Sequence, residues 1–121
     1  MTFGEADLAA LSAAEEVEIE TRSADGEAHR TIIWPLVSDG VVLIRSYRGQ
    51  GARWYRETLT DSEVGLHLNG RRIAGRVVPA MDPASVEACS AALREKYRGD
   101  PSLGAMLRPE ILETTLRVEP A

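Results

Sequence analysis

The sequence predicts a mainly β protein with peripheral helices (α+β), in which six antiparallel strands close into a small barrel. Three observations carry this reading. Ser38-Asp39-Gly40 and Asn69-Gly70 each lie between apolar segments and read as hairpin turns. The flanking segments alternate with a period of two or run continuously apolar. Helical spacing is confined to three short stretches. Hairpin connections make neighbouring strands antiparallel, because parallel neighbours need longer crossovers. Six such strands with little helix hide their edges by curling onto themselves.

Taken in order, Thr2-Phe3-Gly4-Glu5 has the pattern of a capping box, followed by a short helix with Leu8 and Leu11 on one face. Val17, Ile19 and Thr21 then alternate with Glu16, Glu18 and Glu20, giving a strand with one dry and one acidic face. "SADGE" turns the chain. "HRTIIWPLV" and "VVLIRSY" are apolar on both faces, so both strands are expected to be covered on both sides. Pro35 cannot donate to a ladder and belongs at an edge or a bulge. "WYRETLTD" makes two helical turns with Tyr55 and Leu59 stacked at i, i+4.

In the second hairpin Val64, Leu66 and Leu68 share one face, and Ile73, Gly75 and Val77 share the matching one. Asp82-Pro83 is an N-cap with a first-turn proline. Its helix runs to about Tyr97 with Val86, Cys89 and Leu93 inward, and Gly99 stops it. A polar link through Met106 and Pro109 leads to a last strand, "TTLRVEP". With 121 residues the chain is expected to form one domain, 1–121.

Composition excludes several classes. A content of 44% hydrophobic and 27% charged residues is that of a soluble globular chain. No apolar run approaches the ~20 residues of a membrane helix. The acidic N-terminus lacks the basic start and apolar centre of a signal peptide, so a cytoplasmic protein is expected. The single Cys89 has no disulfide partner and no zinc-ligand neighbours. There is no G-x-S-x-G, P-loop or Rossmann fingerprint.

Charge is distributed unevenly. Residues 1–44 carry two basic and nine acidic side chains, whereas residues 45–76 carry seven basic and three acidic. A basic segment in a protein of net charge −5 suits a small anionic ligand better than nucleic acid, which the overall field repels. The focus is "IRSYRGQGARWYRET", Ile44 to Thr58. Arg45 continues a buried strand face, where a charge needs partners. Arg48, Arg53 and Arg56 flank Gly49 and Gly51, which allow a sharp backbone turn. A helix starting near Trp54 adds its positive dipole end. Planar cations, glycines and a helix N-terminus suit a phosphate or carboxylate, with Trp54 or Tyr55 covering a planar ring. The competing reading pairs these arginines with Glu16, Glu18 and Glu20, or leaves them in solvent.

Weaker candidates are His67, which faces away from its strand's apolar side, and His29 beside a turn. Cys89 reads as a small buried hydrophobe, and the hydroxyls of Thr114 and Thr115 as turn caps.

The ordered elements "RTIIW", "DG-VVLIRS", "G-x-G-A-R-WYR", "KYRGD" and "TTLRVEP" resemble an uncharacterised bacterial family of about this length, from about Leu8 to Pro120. That family is similar in turn to the flavin split-barrel superfamily, which includes pyridoxamine-phosphate-oxidase-like proteins and deazaflavin-dependent nitroreductases. The resemblance implies a six-stranded antiparallel split β-barrel, a homodimer, and a flavin (FMN) or deazaflavin cofactor. Ser46, Gly49, Trp54 and Tyr55 match the nitroreductase loop in order. Arg22, Ser23, Gly26 and Arg30 echo the segment that holds the coenzyme's phosphate there. Gly49-Gln50-Gly51 replaces that family's double glycine, Thr21 stands where it has a glycine, and no Asn-Leu follows Tyr55.

The resulting expectation is a flavin- or deazaflavin-binding, oxidoreductase-like protein with no metal site. Arg45, Ser46, Arg48, Gly49, Gly51, Arg53 and Trp54 would hold the cofactor, and Tyr47, Tyr55 and His67 are the candidates for proton chemistry. The alternatives are a cofactor-free cyclase or isomerase acting on an organic acid, and a non-catalytic ligand-sensing or docking module.

Overall fold

The computed structural model describes residues 2–121. In chain order it contains α1 (Glu5–Ala13), β1 (Val17–Arg22), β2 (Ala28–Ile33), β3 (Leu36–Ser38), β4 (Val41–Ile44), α2 (Arg53–Thr60), β5 (Glu63–Leu68), β6 (Arg71–Pro79), α3 (Pro83–Lys96), α4 (Leu103–Met106) and β7 (Leu116–Pro120). The strands form one sheet in the order β2-β1-β5-β6-β7-β4-β3, antiparallel throughout. No helix among the described residues is long and apolar enough to cross a membrane.

Connectivity forces the sheet to curl. β2 and β3 are its two edges, yet only Trp34 and Pro35 separate them in sequence. Such a link reaches about 11 Å, whereas opposite edges of a flat seven-stranded sheet would lie about 29 Å apart. The sheet therefore rolls until its edges nearly meet, without pairing to each other. The result is a split barrel.

Both predicted hairpins are present. Ser38 faces Val41 across Asp39-Gly40 and Leu68 faces Arg71 across Asn69-Gly70. All four turn residues have positive φ, 49° and 77° in the first turn and 50° and 74° in the second. This is the two-residue geometry that asparagine, aspartate and glycine tolerate best. At α3, Asp82 Oδ2 accepts the Ser85 amide at 3.0 Å, and Gly99 ends the helical region at φ 85°.

Alternation sorts the apolar side chains into two layers. Inside the curl lie Val17, Ile19, Val42, Ile44, Leu66 and Val118, closed by Leu11 of α1 and by Trp54 and Tyr55 of α2. Outside it, Leu36 and Leu43 pack under Cys89 and Leu93 of α3, Tyr97, and Met106 of α4.

Three expectations are corrected. The described residues form seven strands rather than six, because the apolar run His29–Val37 breaks at Trp34-Pro35, where the chain crosses between sheet edges. The first helix is capped by Gly4 without any side-chain bond, not by Thr2. Phe3, 7% exposed, is buried in the inner layer, and that fixes the entry of the chain. Leu59 is 61% exposed instead of stacking on Tyr55; the inward face of α2 is Trp54, Tyr55 and Thr58.

Candidate ligand-binding site

A cavity of about 620 Å³ opens where the barrel is split. One wall is the end of β2 with Trp34, a second is the segment from Arg45 to Ala52 with the start of α2, and Ser102 and Met106 complete it. Four arginines line it, Arg45, Arg48, Arg53 and Arg56, and among the described residues no carboxylate does. Tyr47, Gly51 and Trp54 belong to the same wall.

The segment after β4 is held by its own polar atoms. The Ser46 hydroxyl donates to the Gly49 carbonyl at 2.7 Å, the Gly49 amide returns to the Ser46 carbonyl at 3.0 Å, and the Ser46 amide donates to Thr114 Oγ1 at 3.1 Å. Gly49 sits at φ +65°, and a Cβ there would meet Ile111 Cγ2 at 3.1 Å. Ser46 and Gly49 thus shape the loop and do not line the cavity themselves. A tight 3-10 turn, Gly49–Gly51, then delivers the chain to α2, whose N-cap, Ala52, makes no side-chain bond. The uncapped start of α2 therefore opens at the cavity wall.

Arg45 is 2% exposed, as its strand position predicts. Its guanidinium donates to Thr115 Oγ1 at 3.0 Å, Ser90 Oγ at 3.1 Å, the Met106 carbonyl at 3.0 Å and the Val86 carbonyl at 3.1 Å. All four acceptors are neutral. Burial holds its pKa below the usual arginine value. A guanidinium stays protonated in proteins, so the cavity wall carries a buried positive charge that makes no ion pair among the described residues.

The remaining arginines are not consumed by the acidic face of β1. Glu18 pairs with Arg30 at 3.4 Å, and Glu20 binds His67 at 2.7 Å, Arg72 at 3.1 Å and Arg22 at 3.4 Å. Among the described residues Arg48 and Arg56 make no ion pair, and Arg53 only a 4.0 Å contact to Glu57.

The other sequence candidates scatter. Tyr47 is 53% exposed at the mouth, with Arg108 over its ring at 5.6 Å. Tyr55 is buried in the inner layer outside the cavity wall, and burial raises its pKa. His67 lies on β5, bound to Glu20 and away from the cavity. His29 is likewise tied, between Glu57 and Glu27. Cys89 is buried, and burial pushes its thiol up to about 11. Arg22 and Ser23 line a separate shallow depression that shares Arg53 and Arg56 with the cavity. Among the described residues no cluster of His, Cys, Asp or Glu could hold a metal ion.

Sequence reasoning missed Trp34, Ser102 and Met106. Trp34 precedes a proline at the end of an apolar run, a break that marks the site only once the two sheet edges are known to meet there. Ser102 and Met106 carry no local signal.

By sequence the chain matches, over residues 7–118, the family described as an uncharacterized protein conserved in bacteria, DUF2255, and belongs to it. No curated protein matches it significantly. Its fold is similar to that of a putative pyridoxamine 5′-phosphate oxidase from Listeria innocua, with 14% identity, 96% of this chain and 91% of that one covered, and a TM-score of 0.69. It is similar to the heme storage protein HutZ from Vibrio cholerae, with 10% identity, 100% and 92% covered, and a TM-score of 0.66. It is also similar to an F420-H2 dependent reductase, with 13% identity, 87% and 94% covered, and a TM-score of 0.64. At these identities the likeness is one of fold.

Proposed function

We propose that the protein binds a flavin-type coenzyme, FMN or a deazaflavin, in the split of its barrel and acts as a small oxidoreductase-like protein. The observation that carries this is a 620 Å³ cavity with four arginines, two tryptophans and no carboxylate in its described wall. Its volume falls within the ~300–1,000 Å³ of small-molecule sites. Arg48, Arg53 and the start of α2 would hold the phosphate end, since charge-assisted bonds from guanidinium and helix amides suit that group. An indole in the wall suits a planar ring. Such a coenzyme supplies the hydride chemistry, and the protein supplies position and field.

Two fold neighbours, described as a putative pyridoxamine 5′-phosphate oxidase and an F420-H2 dependent reductase, support this reading. Heme fits less well: Met106 is the single residue of the described wall with a common axial-ligand side chain besides Tyr47, and no histidine or cysteine is present.

The test is a titration of the purified protein with FMN, the deazaflavin coenzyme and hemin, followed by ligand fluorescence or absorbance together with thermal stability. Micromolar or tighter binding of either flavin-type ligand, with the stabilisation that mass action requires, supports the proposal. Failure of both removes it and leaves the cofactor-free reading, in which the same arginines take an organic acid.

A further inference from the structure

The Trp34 indole stacks on the Tyr97 ring with centroids 3.8 Å apart and planes 9° from parallel. An aromatic ring has two faces, and Tyr97 covers one of Trp34's. The half-buried indole also lines the cavity, and the stack on Tyr97 leaves its other face without that partner. Its backing is fixed from several directions. The Tyr97 hydroxyl donates to the Glu15 carbonyl at 2.7 Å. Pro35, next in the chain, fixes its own φ, and its carbonyl accepts from Lys96 Nζ at 2.6 Å. Lys96 Nζ also donates to the Leu11 carbonyl at 3.1 Å, tying α3 to α1 behind the pair.

Trp54, the other tryptophan of the wall, is a poorer platform. It is 5% exposed, belongs to the inner apolar layer, and meets Tyr55 edge to face at 6.2 Å. Little of its ring remains to be covered by a ligand. Trp34 is held in place yet open.

We infer that Trp34, backed by Tyr97, is the stacking platform for the planar ring of the ligand, while the arginines take its anionic end. This rests on the flavin-type reading above and deepens it, because it assigns the ring to the β2–β3 crossing instead of to α2. Preorganisation is the physical reason: an indole already stacked on Tyr97 loses little freedom when a second ring lands on it. The ligand class is a planar heteroaromatic with an anionic tail. Ring-free anions should bind without involving Trp34.

The experiment uses whichever of FMN and the deazaflavin coenzyme binds more tightly, with inorganic pyrophosphate as the ring-free probe. Trp34→Leu should weaken coenzyme binding about tenfold or more, the scale of one lost aromatic stack. Trp34→Phe should recover most of it, and pyrophosphate affinity should stay within about twofold in both variants. A second measurement leaves Trp34 intact. The chain has two tryptophans, so in Trp54→Phe all tryptophan emission comes from Trp34. Coenzyme should quench that emission with the same Kd seen in the ligand's own signal, and pyrophosphate should not. Coenzyme bound equally by wild type and Trp34→Leu, or bound without quenching Trp34, overturns this inference alone. Absence of coenzyme binding to wild type overturns it together with the flavin-type reading.

Discussion

Arg45 Nε donates to Thr115 Oγ1 at 3.0 Å, a bond between the exit of β4 and the entry of β7. The same guanidinium reaches α3 through Val86 and Ser90 and α4 through Met106. One side chain therefore joins the sheet to the helices outside it while charging the cavity wall. Arg45→Met removes the donors and leaves buried acceptors unpaired, at roughly 1–3 kcal/mol for each that water cannot reach. A loss of about 3 kcal/mol is expected, measured as a lower urea midpoint. A variant as stable as wild type would mean that the acceptors find other donors.

The hub illustrates what sequence shows and what it hides. Alternation along "VVLIRSY" places Arg45 on a buried face, because the period of a strand is a local property. Its partners come from Val86, Ser90, Met106 and Thr115, and no local rule brings those together. The turns at Asp39-Gly40 and Asn69-Gly70 were readable because two residues decide them. The crossing at Trp34-Pro35 was not, since an apolar run looks the same whether it makes one strand or two at opposite sheet edges. The arginine side of the site was legible because Arg45, Arg48, Arg53 and Arg56 are close in sequence. The Trp34–Tyr97 pair was not, because its members meet only after the sheet has curled.

Glu20 should contribute to acid sensitivity. The hydrogen bond from His67 holds its carboxyl below the ordinary value of 4.5, helped by Arg72 and opposed by partial burial. A depressed folded pKa gives stability that is present above the ordinary value and is lost as pH falls through the lower one. Glu20→Gln should therefore be less stable than wild type at pH 7, with the gap closing as pH falls below the ordinary value of 4.5. Denaturant midpoints at a series of pH values read this directly. A gap that persists unchanged at low pH would place the effect in packing instead.

Lys96 shows the same direction of pH dependence from a different cause, because here burial disfavours the charged form. Burial lowers its pKa from 10.5 to about 8, so between those values the unfolded chain binds a proton that the folded chain does not. Stability attributable to this group then rises with pH across that window, and below pH 8 the fold carries a partly desolvated ammonium. A neutral amine keeps two N–H donors, matching its two carbonyl acceptors at Leu11 and Pro35. The difference in unfolding midpoint between wild type and Lys96→Met should shift in favour of wild type from pH 7.5 to 10. A flat difference would show that Lys96 remains charged throughout.

Arg48 and Arg53 differ from Arg45 in what their loss should do. Both are exposed, Arg48 makes no ion pair among the described residues, and Arg53 makes only the 4.0 Å contact to Glu57. Their replacement should leave the fold intact, with a change in stability within about 0.5 kcal/mol. Each charge-assisted bond to a phosphate contributes roughly 1.5–3 kcal/mol, so Arg48→Ala with Arg53→Ala should weaken coenzyme binding at least about tenfold. Because these cations lie at the solvent-facing rim, added salt should weaken wild-type binding and affect the double variant less. Isothermal titration at two ionic strengths separates the two effects. Unchanged affinity in the double variant would remove the phosphate assignment and leave the buried charge of Arg45 as the cavity's principal attraction for an anion.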